Sequence, residues 1–193
     1  MFVQVFHGKL GDPDLWVRQV QKWRSDIRPK TTGFLGFTTG ITADNYAITV
    51  VRFESAEKAR VDSDLPEQGE WFAEASKAFA GEITFHDCPQ VDVLLGGGSD
   101  RAGFVQVMQG RAKDQDHMRS RGPAMEPELR KIRPDIIGGT RAWHGDSGGF
   151  TQVMYFTSAE EAHKNEQVMA ESPLFHDFMA EMDRLEAEEE QGD

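Results

Sequence analysis

His7 closes a short apolar run, Phe2-Val3-Gln4-Val5-Phe6, and is followed by Gly8. An imidazole titrates near neutral pH, so at the end of a strand it can accept a proton or contact a bound molecule. Arg141 and Trp143 stand two residues apart in a second such run. Strand alternation puts both on one face, where a charge beside an aromatic plane can clamp an anionic or aromatic ligand. An arginine stem packed on an indole is the structural account of the same pair. His144 then belongs to the opposite face. Gln4 and Gln106 each sit between large apolar residues, and an amide buried there needs a partner, whether ligand or protein. Tyr46 and Tyr155 are the two tyrosines of the chain, each able to supply a hydroxyl to a cavity. From this set His7 and Arg141 are the candidate catalytic residues, and Gln4, Arg52, Gln106, Trp143 and Tyr155 the candidate ligand contacts.

Other chemistries find less support. His86, His117, His163 and His176 do not fall at metal-site spacings with acidic partners, so no metal is expected. Gly96-Gly97-Gly98 lacks the Lys-Ser/Thr ending of a phosphate loop, and no Ser-His-Asp arrangement stands out. Cys88 is the single cysteine, which rules out an intrachain disulfide and reads as packing. The formal charge of -12 opposes a phosphate backbone, so nucleic acid is not an expected partner. The chain enters a strand pattern at Phe2 without a basic region or a long apolar run. No membrane span and a cytoplasmic location are therefore expected.

The elements that must position these residues occur twice. Phe2-Val3-Gln4-Val5 returns as Phe104-Val105-Gln106-Val107, Ile27-Arg28-Pro29 as Ile132-Arg133-Pro134, and Phe53-Glu54-Ser55-Ala56-Glu57-Lys58-Ala59 as Phe156-Thr157-Ser158-Ala159-Glu160-Glu161-Ala162. The offset moves from 102 to 105 to 103, as short loop insertions would produce. Arg52 in the first copy corresponds to Tyr155 in the second, so a site built on both is asymmetric.

Within each copy the hydrophobic period changes in a fixed order. A strand from residue 2 is followed by a helix start at Asp12-Pro13 and a stripe of Trp16, Val20, Trp23 and Ile27 at helical spacing. Its counterpart is Met118, Met125, Leu129 and Ile132, with Gly122-Pro123 complicating the first turns. Both helices should end at Arg-Pro. Strands follow over 33–39 and 46–53, and over 138–144 and 150–156. Ser55 and Ser158 read as helix N-caps. Breaks at Leu65-Pro66 and Ser172-Pro173 precede a second helical segment, at 71–79 in the first copy and 174–182 in the second. A last extended stretch, 83–85 with 91–95, completes β-α-β-β-α-β in the first copy. The second copy has no such stretch, so either the first copy's last strand serves a shared edge or the second sheet has one strand fewer.

This order, the repeat and the Phe-x-Ser-Ala-Glu-x-Ala turn resemble the dimeric α/β-barrel superfamily, in particular the antibiotic-biosynthesis-monooxygenase-like family in fused form, over about residues 1–190. The resemblance implies an α+β chain of two ferredoxin-like modules forming an intrachain pseudo-dimeric α/β barrel, the second module lacking an evident last strand. The modules span 1–97 and 104–188, with a glycine-rich linker at 98–103 and an acidic tail at 189–193. Members of the superfamily oxidise aromatic polyketides without a cofactor, degrade haem, or bind ligands. The implied function is that of a small-molecule monooxygenase-like protein acting on an aromatic substrate in the barrel, without a cofactor. Haem degradation is not expected, because Ser76 and Met179 stand where haem-degrading relatives carry a histidine, and haem as a ligand is disfavoured. Two readings of other kinds stay open: a barrel that binds a small molecule or haem without turnover, and a structural or assembly module with a filled core. A monomeric pseudo-dimer and a homodimer both fit.

Overall fold

A computed structural model describes residues 1–173 and 176, with Asp146 described by its backbone alone. The second helical segment expected at 174–182 and the acidic tail at 189–193 lie outside the described residues. The first copy contains β1 (Phe2–Lys9), α1 (Pro13–Lys22), β2 (Phe34–Ile41), β3 (Tyr46–Phe53), α2 (Ala56–Ser63), α3 (Pro66–Ala75), β4 (Thr84–Cys88) and β5 (Val91–Leu94). The second contains β6 (Phe104–Arg111), α4 (Gln115–Ile132), β7 (Ile136–Trp143), β8 (Gly149–Phe156) and α5 (Ala159–Ala170).

Local chemistry explains the boundaries. Asp12 caps α1 by accepting from the Leu15 amide at 2.8 Å, with Pro13 in the first turn. Ser55 and Ser158 accept from the amides of Lys58 and Glu161 at 3.2 and 3.1 Å. The α2–α3 break falls at Leu65, whose extended backbone precedes Pro66. After α1 the chain continues as one wider π-helical turn, Trp23–Ile27. That turn keeps Trp23 and Ile27 on the buried face with Trp16 and Val20. The complication expected at Gly122-Pro123 does not interrupt α4, which runs through both Pro123 and Pro127.

The first sheet has the order β2-β3-β1-β4, the ferredoxin-like arrangement. β1 pairs antiparallel with β3, Phe2 opposite Phe53 and His7 opposite Ile48, and with β4, Val5 opposite His86. The second sheet has the order β5-β7-β8-β6. The single last stretch expected for the first copy is therefore two strands with different destinations. β4 completes its own sheet, whereas β5 edges the second one beside β7 and supplies its fourth strand. The first of the two alternatives read from the sequence holds.

The two copies are thus two ferredoxin-like modules with one four-stranded sheet each. By compactness the described residues form two units, one of residues 1–92, 107–113 and 141–152, the other of 93–106, 114–140 and 153–173. In the first, Phe2, Phe6 and Phe53 on one sheet face pack with Trp16, Trp23 and Trp71 from the helices. In the second, Leu95, Ile136, Met154, Phe156 and Ala162 form a smaller core, with Arg133 and Asp135 buried beside it as an ion pair at 2.8 Å. Among the described residues no helix is long and apolar enough to cross a membrane.

Candidate functional site

The first unit contains a cavity of about 270 Å³ between the β1-β3 face and α2–α3. Gln4 and Phe6 line it from β1, Val51 and Phe53 from β3, Phe37 from β2, Phe85 from β4, and Trp23, Asp62, Gln68, Trp71 and Phe72 from the helical side. Ligand sites of this kind are concave, mostly apolar and carry a few placed polar groups. The two indoles are fixed walls. The Trp23 ring nitrogen donates to Gln68 Oε1 at 2.8 Å, and that of Trp71 to the Gln19 carbonyl at 2.8 Å. Trp23 stacks on Phe37 at 5.2 Å between centroids. Phe85, 54 % exposed, packs against Phe72 and Phe6 at the solvent side.

Asp62 is the ionisable group on this wall. It is 4 % exposed, and its Oδ1 has no hydrogen-bond partner among the described residues. Burial pushes its carboxyl up to about 6, because the charged form has lost water without gaining a cation. A carboxylate with that pKa is ionised at neutral pH and able to take a proton from a bound molecule. α2 places it there: Ala59 and Asp62, three residues apart, share the buried face of that helix.

The sequence-derived candidates fall in several places. Gln4 lines the cavity and donates to Asp87 Oδ1 at 3.0 Å. His7 points to the other side of β1, as alternation requires. There its Nδ1 lies 2.6 Å from the Tyr46 hydroxyl and its Nε2 lies 3.4 Å from His86 Nε2. Arg52 is buried on β3 on the His7 side. Arg141 and Trp143 do meet, the guanidinium 5.7 Å from the indole and 5.6 Å from the Phe150 ring. Both hold protein partners: Arg141 Nε donates to Gln152 Oε1 at 2.8 Å, and Trp143 Nε1 to Asp92 Oδ2 at 2.9 Å. Burial lowers the Arg141 pKa, with the Asp92 charge opposing that shift. Gln106 is half-buried on β6 and Tyr155 buried on β8. Of the seven, Gln4 alone lies on the cavity.

His86 also stacks on His144, ring centroids 3.8 Å apart and planes within 7°. His144 Nε2 lies 2.9 Å from Thr151 Oγ1, to which Gln109 donates at 3.1 Å. Among the described residues no group of three or more His, Cys, Asp or Glu is arranged to hold a metal.

No protein-family profile matches the chain, and no curated protein does either. Solved structures do. A "putative monooxygenase" from Lactobacillus acidophilus superposes with a TM-score of 0.71 at 12% identity, over 94% of this chain and 87% of that one. Another from Fusobacterium nucleatum superposes with a TM-score of 0.70 at 7% identity, over 95% and 86%. The chain shares its fold with these two structures. Identity this low carries the fold and leaves the chemistry to the residues of this chain.

Trp23, Trp71, Phe72 and Asp62 all line the cavity, and none of them is among the site candidates read from the sequence. A signal for Asp62 exists in the repeat. The residue 103 positions later is Asn165, whose amide donates to Asp135 Oδ1 at 2.8 Å. A neutral, bonded amide in one copy thus corresponds in the repeat to an unpaired carboxylate in the other.

Proposed function

We propose that the chain is a small-molecule monooxygenase-like enzyme that oxidises a planar, phenolic substrate in the first-module cavity without a cofactor. The observation that carries this reading is the unpaired, buried Asp62 carboxylate in a cavity lined mainly by aromatic rings. Ligand cavities range over about 300–1,000 Å³, so about 270 Å³ suits two or three fused rings rather than a large ligand. Trp23, Trp71, Phe37 and Phe72 would stack on the ring system, and Gln4 would hold a ring oxygen through its amide.

Asp62 would remove the acidic proton, and the resulting phenolate is the electron-rich form that reacts with dioxygen. For an enolisable ring CH₂, one oxygen atom enters the ring as a carbonyl, the other leaves as water, and the substrate supplies the two hydrogens. Water-poor aromatic walls favour the step by keeping Asp62 basic.

Anthrone tests the reading: oxygen uptake and anthraquinone formation are expected with the native protein. Asp62→Asn should lower the rate by about 10²–10⁴, the range of general-base contributions, while anthrone still quenches the tryptophans. Quenching without oxygen uptake by the native protein would replace this reading with a binding barrel. Absence of both would leave the filled-core reading.

A further inference from the structure

The histidines on the other face of β1 form a separate system. His7 comes from β1, His86 from β4 and His144 from the residue after β7, and all three belong to one compact unit. His7 and His86 face each other nitrogen to nitrogen at 3.4 Å, and His86 and His144 lie in parallel contact at 3.8 Å. We infer that this imidazole trio is an acid-released latch, holding β4 against the β7–β8 connection while the rings are neutral and letting go when they take up protons.

Neutral rings satisfy the geometry. With the Tyr46 hydroxyl donating to His7 Nδ1, the opposite His7 nitrogen carries the hydrogen and His86 Nε2 accepts it. Two parallel imidazoles at 3.8 Å can stack without charge, whereas two imidazolium rings there would repel across a half-buried contact. A protonated His86 also has no lone pair at Nε2 for His7 to donate to.

Among the described residues no carboxylate offsets the shifts of His7 and His144. Burial is the largest influence lowering both His7 and His144, repulsion from the other imidazoles adds to it, and His144 is pushed down to about 4. Along the same strand faces stand Lys9, which pairs with Asp44 at 3.6 Å, buried Arg52, and Cys88. From the second sheet come Thr151 and Gln109, while Arg111 is turned to the Ser147 carbonyl. The latch therefore binds protons at His7 and His144 less readily than the unfolded chain does. Its stabilisation is complete above about pH 6.5, the ordinary imidazole value, and is lost as pH falls towards 4.

The test follows histidine ring signals by NMR from pH 8 to 3.5, together with exchange of the Trp143 amide. That amide donates to the Gln90 carbonyl at 3.0 Å beside the latch. In the native protein His144 should titrate near 4 and His7 below 6.5, with Trp143 protection falling at least tenfold across the His144 transition. His86→Phe keeps a stacking ring without the charge. It should raise the His144 midpoint and cut the acid loss of Trp143 protection severalfold. A native His144 midpoint at or above 6.5, or Trp143 protection unchanged through the transition, overturns the latch. If His86→Phe does not fold, the native titration decides alone.

Discussion

Asp62 is where function and stability pull against each other. Its carboxyl titrates at about 6 in the fold against 3.8 for the free side chain, so the folded state favours the protonated form. Stability from this group is therefore greatest below about pH 3.8 and falls as pH rises through 6. Asp62→Asn, expected to lose oxidation, should thus gain stability on the order of 1–2 kcal/mol at pH 8 and little at pH 4, read from urea midpoints. An activity loss with that gain separates a missing base from a damaged fold. Cys88 behaves oppositely to a reactive group: fully buried, its thiol is pushed up to about 12 by burial and by Asp87. A thiol reagent should find no reactive group in the native protein at pH 8 and one after denaturation.

At the scale of elements, the decisive feature is a strand that leaves its own copy. β5 follows β4 after Pro89 and Gln90 and is left through Leu95, Gly96 and Gly97, all with positive φ, a conformation that glycine adopts at little cost. The backbone then comes so close to β7 that a Cβ on Gly138 would lie 1.9 Å from the Gly97 carbonyl oxygen. Gly138→Ala should therefore destabilise the protein by about 1–3 kcal/mol or more, measured by urea unfolding, because the clash is with backbone that cannot rotate away. The Arg133–Asp135 pair supports the same unit. Burial alone would raise the Asp135 pKa, but hydrogen bonds from Arg133 and Asn165 and the Arg133 charge hold it below the usual value. Asp135→Ala strands a guanidinium that is 5 % exposed, and a loss of about 3–5 kcal/mol is expected at neutral pH.

For the whole molecule, the net charge of -12 sets a diffuse repulsion. The ion pairs on Lys9, Lys30, Arg60 and Lys77 are exposed and weak. Raising sodium chloride from 20 to 200 mM should therefore increase the urea midpoint at pH 7.5, since screening relieves the repulsion more than it weakens those pairs. Acid reverses the balance between the two buried systems. Between about pH 4 and 6 Asp62 gains stability on protonation while His7 and His144 lose it, so the total pH profile understates both. Each slope is to be read from the difference between native and variant protein.

Element order, helix caps, the Leu65 break and the duplication were legible in the chain, because each rests on local chemistry: a proline ring, a capping oxygen, a period of two or of 3.6. The same reasoning placed Arg141 and Trp143 on one strand face. It could not tell which of the two faces of β1 bordered a cavity, since both carry large apolar residues. Nor could it see that Asp62, an ordinary acidic residue in a polar helix, would lose its water. Cavities and stripped charges arise from packing between segments far apart in sequence, as do the destination of β5 and the meeting of His7, His86 and His144. The sequence by itself determined the repeated parts and their caps. Tertiary packing decided where space was left unfilled and which polar groups face it, because long-range contacts set burial and burial sets their chemistry.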